Sequence, residues 1–273
     1  MEFAELEKAG WSDAAIASSY ATAFAFAAEQ CVPALLRASA CQPGGAFLDL
    51  CCGHGIVSGA AISLGASVTG VDFSPAMIAM AEEAEPTATF IEGDVSTLQF
   101  DDNSFDAVAM GFGILHVPDA PVAVAEAARV LKPGGRFAYS CWHGGERTSA
   151  LPAVFSAVEA CGDPSVSLPA SRPAPFYAQP DNANALMAQA GLDDVRIESV
   201  DSYWLCDSAD DPIRYFAEGT VRGAGLLRAQ PKAHLDQIRE RVVAWVSANS
   251  ELDPATSKLR VPLPAAIVSG KKG

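Results

Sequence analysis

At 273 residues, half of them hydrophobic, the chain can bury a full core as one large α/β domain with a modest extra lobe. Its 33 acidic residues against 18 basic ones leave a net charge of −15, which opposes binding to DNA, RNA or anionic lipid and sets nucleic acid aside as a partner. No apolar run approaches a membrane span, and the acidic, polar start Met1-Glu-Phe-Ala-Glu-Leu-Glu-Lys8 is unlike a secretory signal, so a cytoplasmic location is expected.

In chain order, residues from about 11 to 40 are expected to be helical, beginning at Trp11-Ser-Asp13 and rich in alanine and aromatics such as Tyr20, Phe24 and Phe26. Pro43-Gly44-Gly45 breaks that run. Phe47, Leu48 and Leu50 predict a strand over 46–51, followed by a small-residue turn holding Gly53 and Gly55 and a helix from Ile56 to Ser63. Further strands are expected at 67–72, 88–92, 105–110 and 136–142, alternating with helices, which implies a parallel sheet with right-handed crossovers. Ser74-Pro75 and Asp119 with Pro121 mark two helix starts, each an N-cap side chain ahead of an early proline.

Beyond residue 143 the pattern loosens. Gly144-Gly145 and the prolines at 164, 169, 173, 175 and 180 argue against a regular core segment over 143–180. A helix at 181–190, a strand at 194–205, a helical stretch at 211–249 and a last strand at 261–269 follow. The strands are expected to complete the sheet, and the remainder to be insertions forming a substrate lid. The expected organisation is a helical cap (1–43), a ligand-binding core (44–143) and lid insertions with the last strands (144–273), within a single structural domain.

The chemistry concentrates around the first turn. Gly53 and Gly55 lack the Cβ that would keep a ligand off the backbone. Asp72 ends the second strand, where a carboxylate can take both hydroxyls of a ribose. A dinucleotide site wants a third glycine where Ser58 stands, and Asp49 ahead of the loop would repel a pyrophosphate. S-adenosylmethionine (SAM), with a sulfonium, an ammonium, a ribose and no phosphate, fits these residues better. The seven cysteines are scattered, odd in number, and form no metal-like grouping with the four histidines, so no metal site is expected and the compartment is reducing.

Asp49 to Gly55, Gly70-Val-Asp72-Phe-Ser-Pro75, Gly93-Asp94-Val95, Phe105-Asp106-Ala-Val108 and Leu131-Lys-Pro-Gly-Gly135-Arg-Phe137 stand in order over residues 46 to 140. On these motifs the chain resembles the class I SAM-dependent methyltransferases, in particular the ubiquinone/menaquinone-biosynthesis-like (methyltransferase type 11) branch. The family usually has glycine where Cys51 sits, so the loop is expected to be slightly wider there. The resemblance implies an α/β, Rossmann-like sheet of seven strands, mostly parallel with one antiparallel strand in an edge hairpin, and helices on both faces. It implies SAM as cofactor, S-adenosyl-L-homocysteine as its product, and a small-molecule methyl acceptor attacked at nitrogen, oxygen or carbon. The alternatives are a non-methylating enzyme on the same fold, of decarboxylase or pericyclase type, or a noncatalytic SAM-binding protein. A monomer or homodimer is expected.

The same resemblance assigns residues. Asp72 would take the ribose, Asp49 would lie near the methionine moiety, and Gly93, Asp94 and Val95 would meet the adenine, with Phe73 and Met77 along its ring. Met110-Gly111-Phe112-Gly113 would pass beneath the sulfonium. His116, just beyond, is the first catalytic candidate, as a general base, a hydrogen bonder to the acceptor, or a support of its loop. His143 is the second. Tyr20 and Trp11 would close over the methionine end or pack as ordinary aromatics, and His54 would shape the turn.

Overall fold

The computed structural model describes residues 2–143 and 148–273; Gly144 and Gly145 lie outside the described residues. Helices α1 (Phe3–Trp11), α2 (Ala14–Ser19), α3 (Ala25–Glu29) and α4 (Val32–Ala38) come first, with a π-helical turn, Tyr20–Phe24, between α2 and α3. The expected helical run therefore starts earlier than Trp11 and is broken. Asp13 caps α2 by accepting from the Ala15 amide over 2.8 Å. Strands and helices then alternate through β1 (Ala46–Leu50), α5 (Ile56–Ser63), β2 (Ser67–Asp72), α6 (Pro75–Ala84), β3 (Thr89–Glu92), β4 (Phe105–Met110), α7 (Ala120–Val130) and β5 (Leu131–Trp142). The later elements are α8 (Ala150–Cys161), α9 (Pro180–Gln189), β6 (Leu192–Val200), β7 (Tyr203–Cys206), α10 (Asp211–Gly219), α11 (Val221–Leu227), α12 (Lys232–Asn249), β8 (Glu251–Leu252), β9 (Leu259–Pro262) and β10 (Ala265–Lys272).

Seven strands pair in the order β3-β2-β1-β4-β5-β10-β6, and the sheet is parallel except for β10, antiparallel to both neighbours. The antiparallel strand thus sits one place in from the edge. Strand β1 pairs with β2 on one side and β4 on the other, so the chain direction of travel reverses there, and the segments after β1 and β4 open a crevice where α/β sheets bind ligands. Phe47, Leu48 and Leu50 are buried, as expected of a strand covered on both faces. The helix starts follow their signals: Ser74 Oγ accepts from the Met77 amide over 3.2 Å, and Asp119 from the Val122 amide over 3.2 Å.

The chain divides into two compact units. One comprises Ala28–Trp142, Arg172–Val200 and Ala265–Gly273 and holds the large sheet. The other comprises Met1–Ala27, His143–Ser171 and Asp201–Pro264 and holds a three-stranded sheet, β7-β9-β8. Its core centres on Trp204, whose indole edge meets Phe24, Tyr215 and Phe216 and whose Nε1 donates to the Phe24 carbonyl over 3.1 Å.

Two expected strands are corrected by this division. The segment 194–205 is not one strand: β6 joins the large sheet, β7 the small one, and Ser202 separates them. The segment 261–269 breaks likewise at Leu263-Pro264, between β9 and β10. The two breaks are tied together, since the Ser202 hydroxyl donates to the Leu263 carbonyl over 2.6 Å and the Leu263 amide to the Ser202 carbonyl over 2.9 Å. Proline at 264 has no amide to continue a ladder. Within 143–180, α8 is a regular helix, because Pro152 falls in its first turn, where no intrahelical amide is lost, and the other prolines come after it. The stretch 211–249 is three helices, the second capped by Thr220, which accepts from the Gly223 amide over 3.0 Å. Among the described residues no helix is long and apolar enough to cross a membrane.

Candidate functional site

The segment after β1 is bent by left-handed backbone at Cys51 (φ 51°), Gly53 (φ 53°) and Gly55 (φ 91°). Cysteine therefore stands in a conformation that favours glycine, and the loop keeps its left-handed bend there in spite of the side chain. Asp72, at the end of β2, anchors this loop from the neighbouring strand. Its Oδ2 accepts from the Gly53 amide and its Oδ1 from the Ser74 amide, each over 2.9 Å. The Phe73 amide acts on the same carboxylate. Burial raises the Asp72 carboxyl above its ordinary value, against the pull of the Ser74 and Gly53 amides and of the nearby His116 imidazole.

Asp49 is fully buried one strand away. Its Oδ2 accepts from the Ser58 hydroxyl over 2.7 Å, while its Oδ1 has no partner. Burial pushes this carboxyl up to about 7, opposed by the Ser58 hydrogen bonds. In the sequence Ser58 stands only as a mismatch to a third glycine; in the fold it is the donor that an acid inside an apolar strand demands. The Cys51 thiol is pushed up by burial and then by Asp72, Asp49 and Asp94, so three carboxylates bear on one point of the loop. That field suits a ligand carrying positive charge. Among the described residues no His, Cys, Asp and Glu group could hold a metal ion.

The glycines divide into two kinds. A Cβ on Gly53 would meet only the Met77 Sδ, at 4.0 Å, so there is open space above it. A Cβ on Gly55 would touch the Ala81 backbone and side chain at 3.4 Å, so α6 lies beside it, and its φ of 91° is what favours glycine there. A Cβ on Gly111 would meet Val57, at 3.1 Å, and one on Gly113 the Cys51 side chain, so both glycines after β4 allow close protein packing. Met110 is wholly buried in the core, and its side chain faces other apolar residues. Left-handed Phe112 (φ 57°) is held by its amide donating to the buried Ser140 hydroxyl over 2.9 Å and by stacking on Trp142 at 4.0 Å.

The remaining candidates are spread more widely. Gly93 follows β3 beside Val71, exposed Asp94 accepts from the Ser96 amide over 2.8 Å, and Val95 and Met77 are buried while Phe73 is half-buried. His116 is half-buried and ends a short 3₁₀ turn, Gly113–Leu115, its amide donating to the Gly113 carbonyl over 2.9 Å. Its electrostatic reach to Asp72 puts it with the crevice residues. His143, whose amide donates to the Pro264 carbonyl over 2.8 Å, and Tyr20 fall in the other compact unit. Tyr20 meets Trp11 edge-on at 5.4 Å and stacks with Phe24 at 5.6 Å, so the aromatic packing anticipated for Trp11 and Tyr20 is present. His54 in the loop is pushed down by burial, toward the neutral ring.

A methyltransferase domain family matches residues 48–139. Over 114 residues the chain is 42% identical to 2-phytyl-1,4-naphtoquinone methyltransferase of Nostoc punctiforme, a match covering 38% of this chain and 50% of that protein. The chain spans half or less of the length of the curated relatives it matches. Among solved structures, YcgJ of Bacillus subtilis superposes with a TM-score of 0.59 at 21% identity, covering 88% of this chain and 97% of that one. A Haemonchus contortus phosphoethanolamine N-methyltransferase, solved with phosphomonomethylethanolamine and S-adenosylhomocysteine, gives 0.52 at 20% identity, covering 88% and 52%. Residues 48–139 therefore match a methyltransferase domain, set within a sheet whose fold these solved structures share.

Proposed function

We propose that this chain moves a methyl group from SAM to a small-molecule nucleophile at nitrogen, oxygen or carbon. The observation that carries this reading is the pair of buried carboxylates beside the Gly53 loop. Asp72 is a buried acceptor tied to the loop and of the chemistry that takes a diol, and Asp49 keeps one oxygen with no partner for a positive charge. The Haemonchus contortus neighbour, solved with the demethylated cofactor, supports the same choice. The name of the Nostoc relative supports a quinol-type ring as the first acceptor class to screen.

When bound, SAM supplies a methyl carbon already activated by its sulfonium. Asp72 holds the two ribose hydroxyls, Gly53 leaves the backbone bare above the loop, and Asp94 with the Gly93–Val95 backbone meets the adenine edge. Asp49 balances cationic charge. In-line displacement at such a carbon gains mostly from alignment and from keeping water away, and well-oriented pairs gain about 7–11 kcal/mol. His116 accepts the proton of an acceptor that still carries one at neutral pH, and otherwise orients it by a hydrogen bond; His143 is the second candidate for that task. All seven cysteines are free thiols, which supports work in a reducing, cytoplasmic setting.

Calorimetry with SAM, S-adenosylhomocysteine and NAD tests the cofactor, and methyl-labelled SAM with a panel of quinols, phenols and amines tests the transfer. Binding of the first two ligands together with label in a product is expected. Binding of NAD alone would overturn the reading.

A further inference from the structure

We propose that Ser58 and Asp49 together make the loop distinguish the charged methyl donor from its uncharged thioether product, with Asp49 as the responding carboxylate and Ser58 as the residue that positions it. The proposal rests on SAM being the cofactor and concerns what this chain's own residues do toward its charge.

Asp49 itself has no exposure, so its charge is little screened by water. The groups facing it are few. Strand β2 brings Asp72, the loop brings the Cys51 and Cys52 thiols, and α5 brings the Ser58 hydroxyl. Neither a lysine nor an arginine is among the groups acting on it. An ionised carboxylate in such a place is costly without a countercharge. The Ser58 hydrogen bonds lower that cost, the hydroxyl satisfying Oδ2, while Oδ1 is buried without a partner.

A carboxyl balanced near 7 is about half ionised at neutral pH, and a cation in the same pocket draws it to the ionised form. Donor binding then releases a proton. The product has one positive charge fewer and draws out less. The ratio of donor to product affinity therefore rises with pH between roughly pH 6 and 8, by up to about tenfold, the change in ionised fraction of a carboxyl near 7. The ammonium, ribose and adenine are common to both ligands, so the ratio reports the charge of the sulfonium. Loss of the Ser58 hydroxyl removes a donor to the ionised form, so the rise moves to higher pH.

The experiment is calorimetry of SAM and S-adenosylhomocysteine at about pH 6, 7 and 8, each in two buffers of different ionisation enthalpy, which counts the protons released. The expected result is a rise of up to about tenfold in the affinity ratio for the wild-type protein, with more proton release for SAM. Asp49→Asn should flatten the ratio, Ser58→Ala should move its rise upward, and Ser58→Thr should restore it. Infrared difference spectra of the wild-type protein provide a readout independent of variant folding: a carboxylic-acid band should vanish on adding SAM and persist with the product. Equal pH dependence for the two ligands, or a ratio unchanged by Asp49→Asn, would overturn the proposal while leaving SAM binding intact. Failure of both ligands to bind at every pH would overturn the cofactor reading as well.

Discussion

The backbone amide of Gly53 donates to Asp72 Oδ2 over 2.9 Å, so the loop leaving β1 is tied to the acid that ends β2. This bond fixes the carboxylate against the left-handed turn. Loop shape and the proposed ribose recognition thereby share one carboxylate.

Removing the Asp72 carboxylate should act on both. Asp72→Ala leaves the Gly53 and Ser74 amides without their acceptor and deprives the ribose of its partner. SAM affinity is expected to fall by about 1.5–3 kcal/mol, the range for hydrogen bonds to charged groups, with a lower melting temperature. Unchanged affinity by calorimetry would take the ribose role from Asp72.

The two loop glycines should separate in their effects. Gly55→Val forces a side chain at φ 91° against Ala81, and should destabilise the fold by more than about 2 kcal/mol, since left-handed backbone alone costs roughly 1–2. Gly53→Ala meets only open space and Met77, so its folding cost should stay near about 1 kcal/mol while SAM binding suffers more. Thermal melts and calorimetry on both variants check this, and the reverse ranking would contradict the division.

Cys51 and Gly113 should couple. A Cβ on Gly113 would press on the Cys51 side chain, with the sulfur at 2.6 Å, so Gly113→Ala should cost about 1–3 kcal/mol as overpacking. Adding Cys51→Gly removes the obstruction and the left-handed side chain at once. A double-mutant cycle by denaturant melts should show the pair recovering at least half of that loss; additive effects would refute the contact.

Asp49 should leave a signature in the pH dependence of stability. Its carboxyl is raised in the folded protein, to about 7, so the folded state holds a proton that the unfolded chain has already released. The stability it contributes is present below about pH 4 and declines as pH rises to about 7, by at most roughly 1.4 kcal/mol per unit. Asp49→Asn has no such proton to lose and should therefore gain on the wild type between pH 5 and 8. A constant difference in melting free energy across that range would show that Asp49 titrates normally.

His116→Ala should lower turnover by about 10²-fold or more if the imidazole removes a proton, with SAM affinity near wild type at pH 8. His116→Gln should keep part of the activity if the side chain only donates a hydrogen bond. Steady-state kinetics beside calorimetry separate the two, and full activity in the alanine variant would move the role to His143 or to alignment alone.

The sequence by itself determined what local chemistry can write. Ser74-Pro75 and Asp119 with Pro121 start helices because capping and early proline act within one turn. The acids at 49 and 72, each in or closing an apolar strand, mark a ligand loop because the strands β1 and β2 that carry them pair side by side in a parallel sheet. Tertiary structure alone decided what depends on partners distant along the chain. Alternating side chains at 194–205 and 261–269 announce extended backbone, but the hydrogen bonds between Ser202 and Leu263 divide those runs between two sheets. Glycine at 53 and at 55 satisfies the same rule of a bare Cα, yet only the position of Ala81 on α6 tells which of them faces open space. Ser58 looks like a mismatched glycine until the fold brings its hydroxyl to Asp49, and that contact, made when α5 packs on β1, opposes the burial that pushes the acid's carboxyl up.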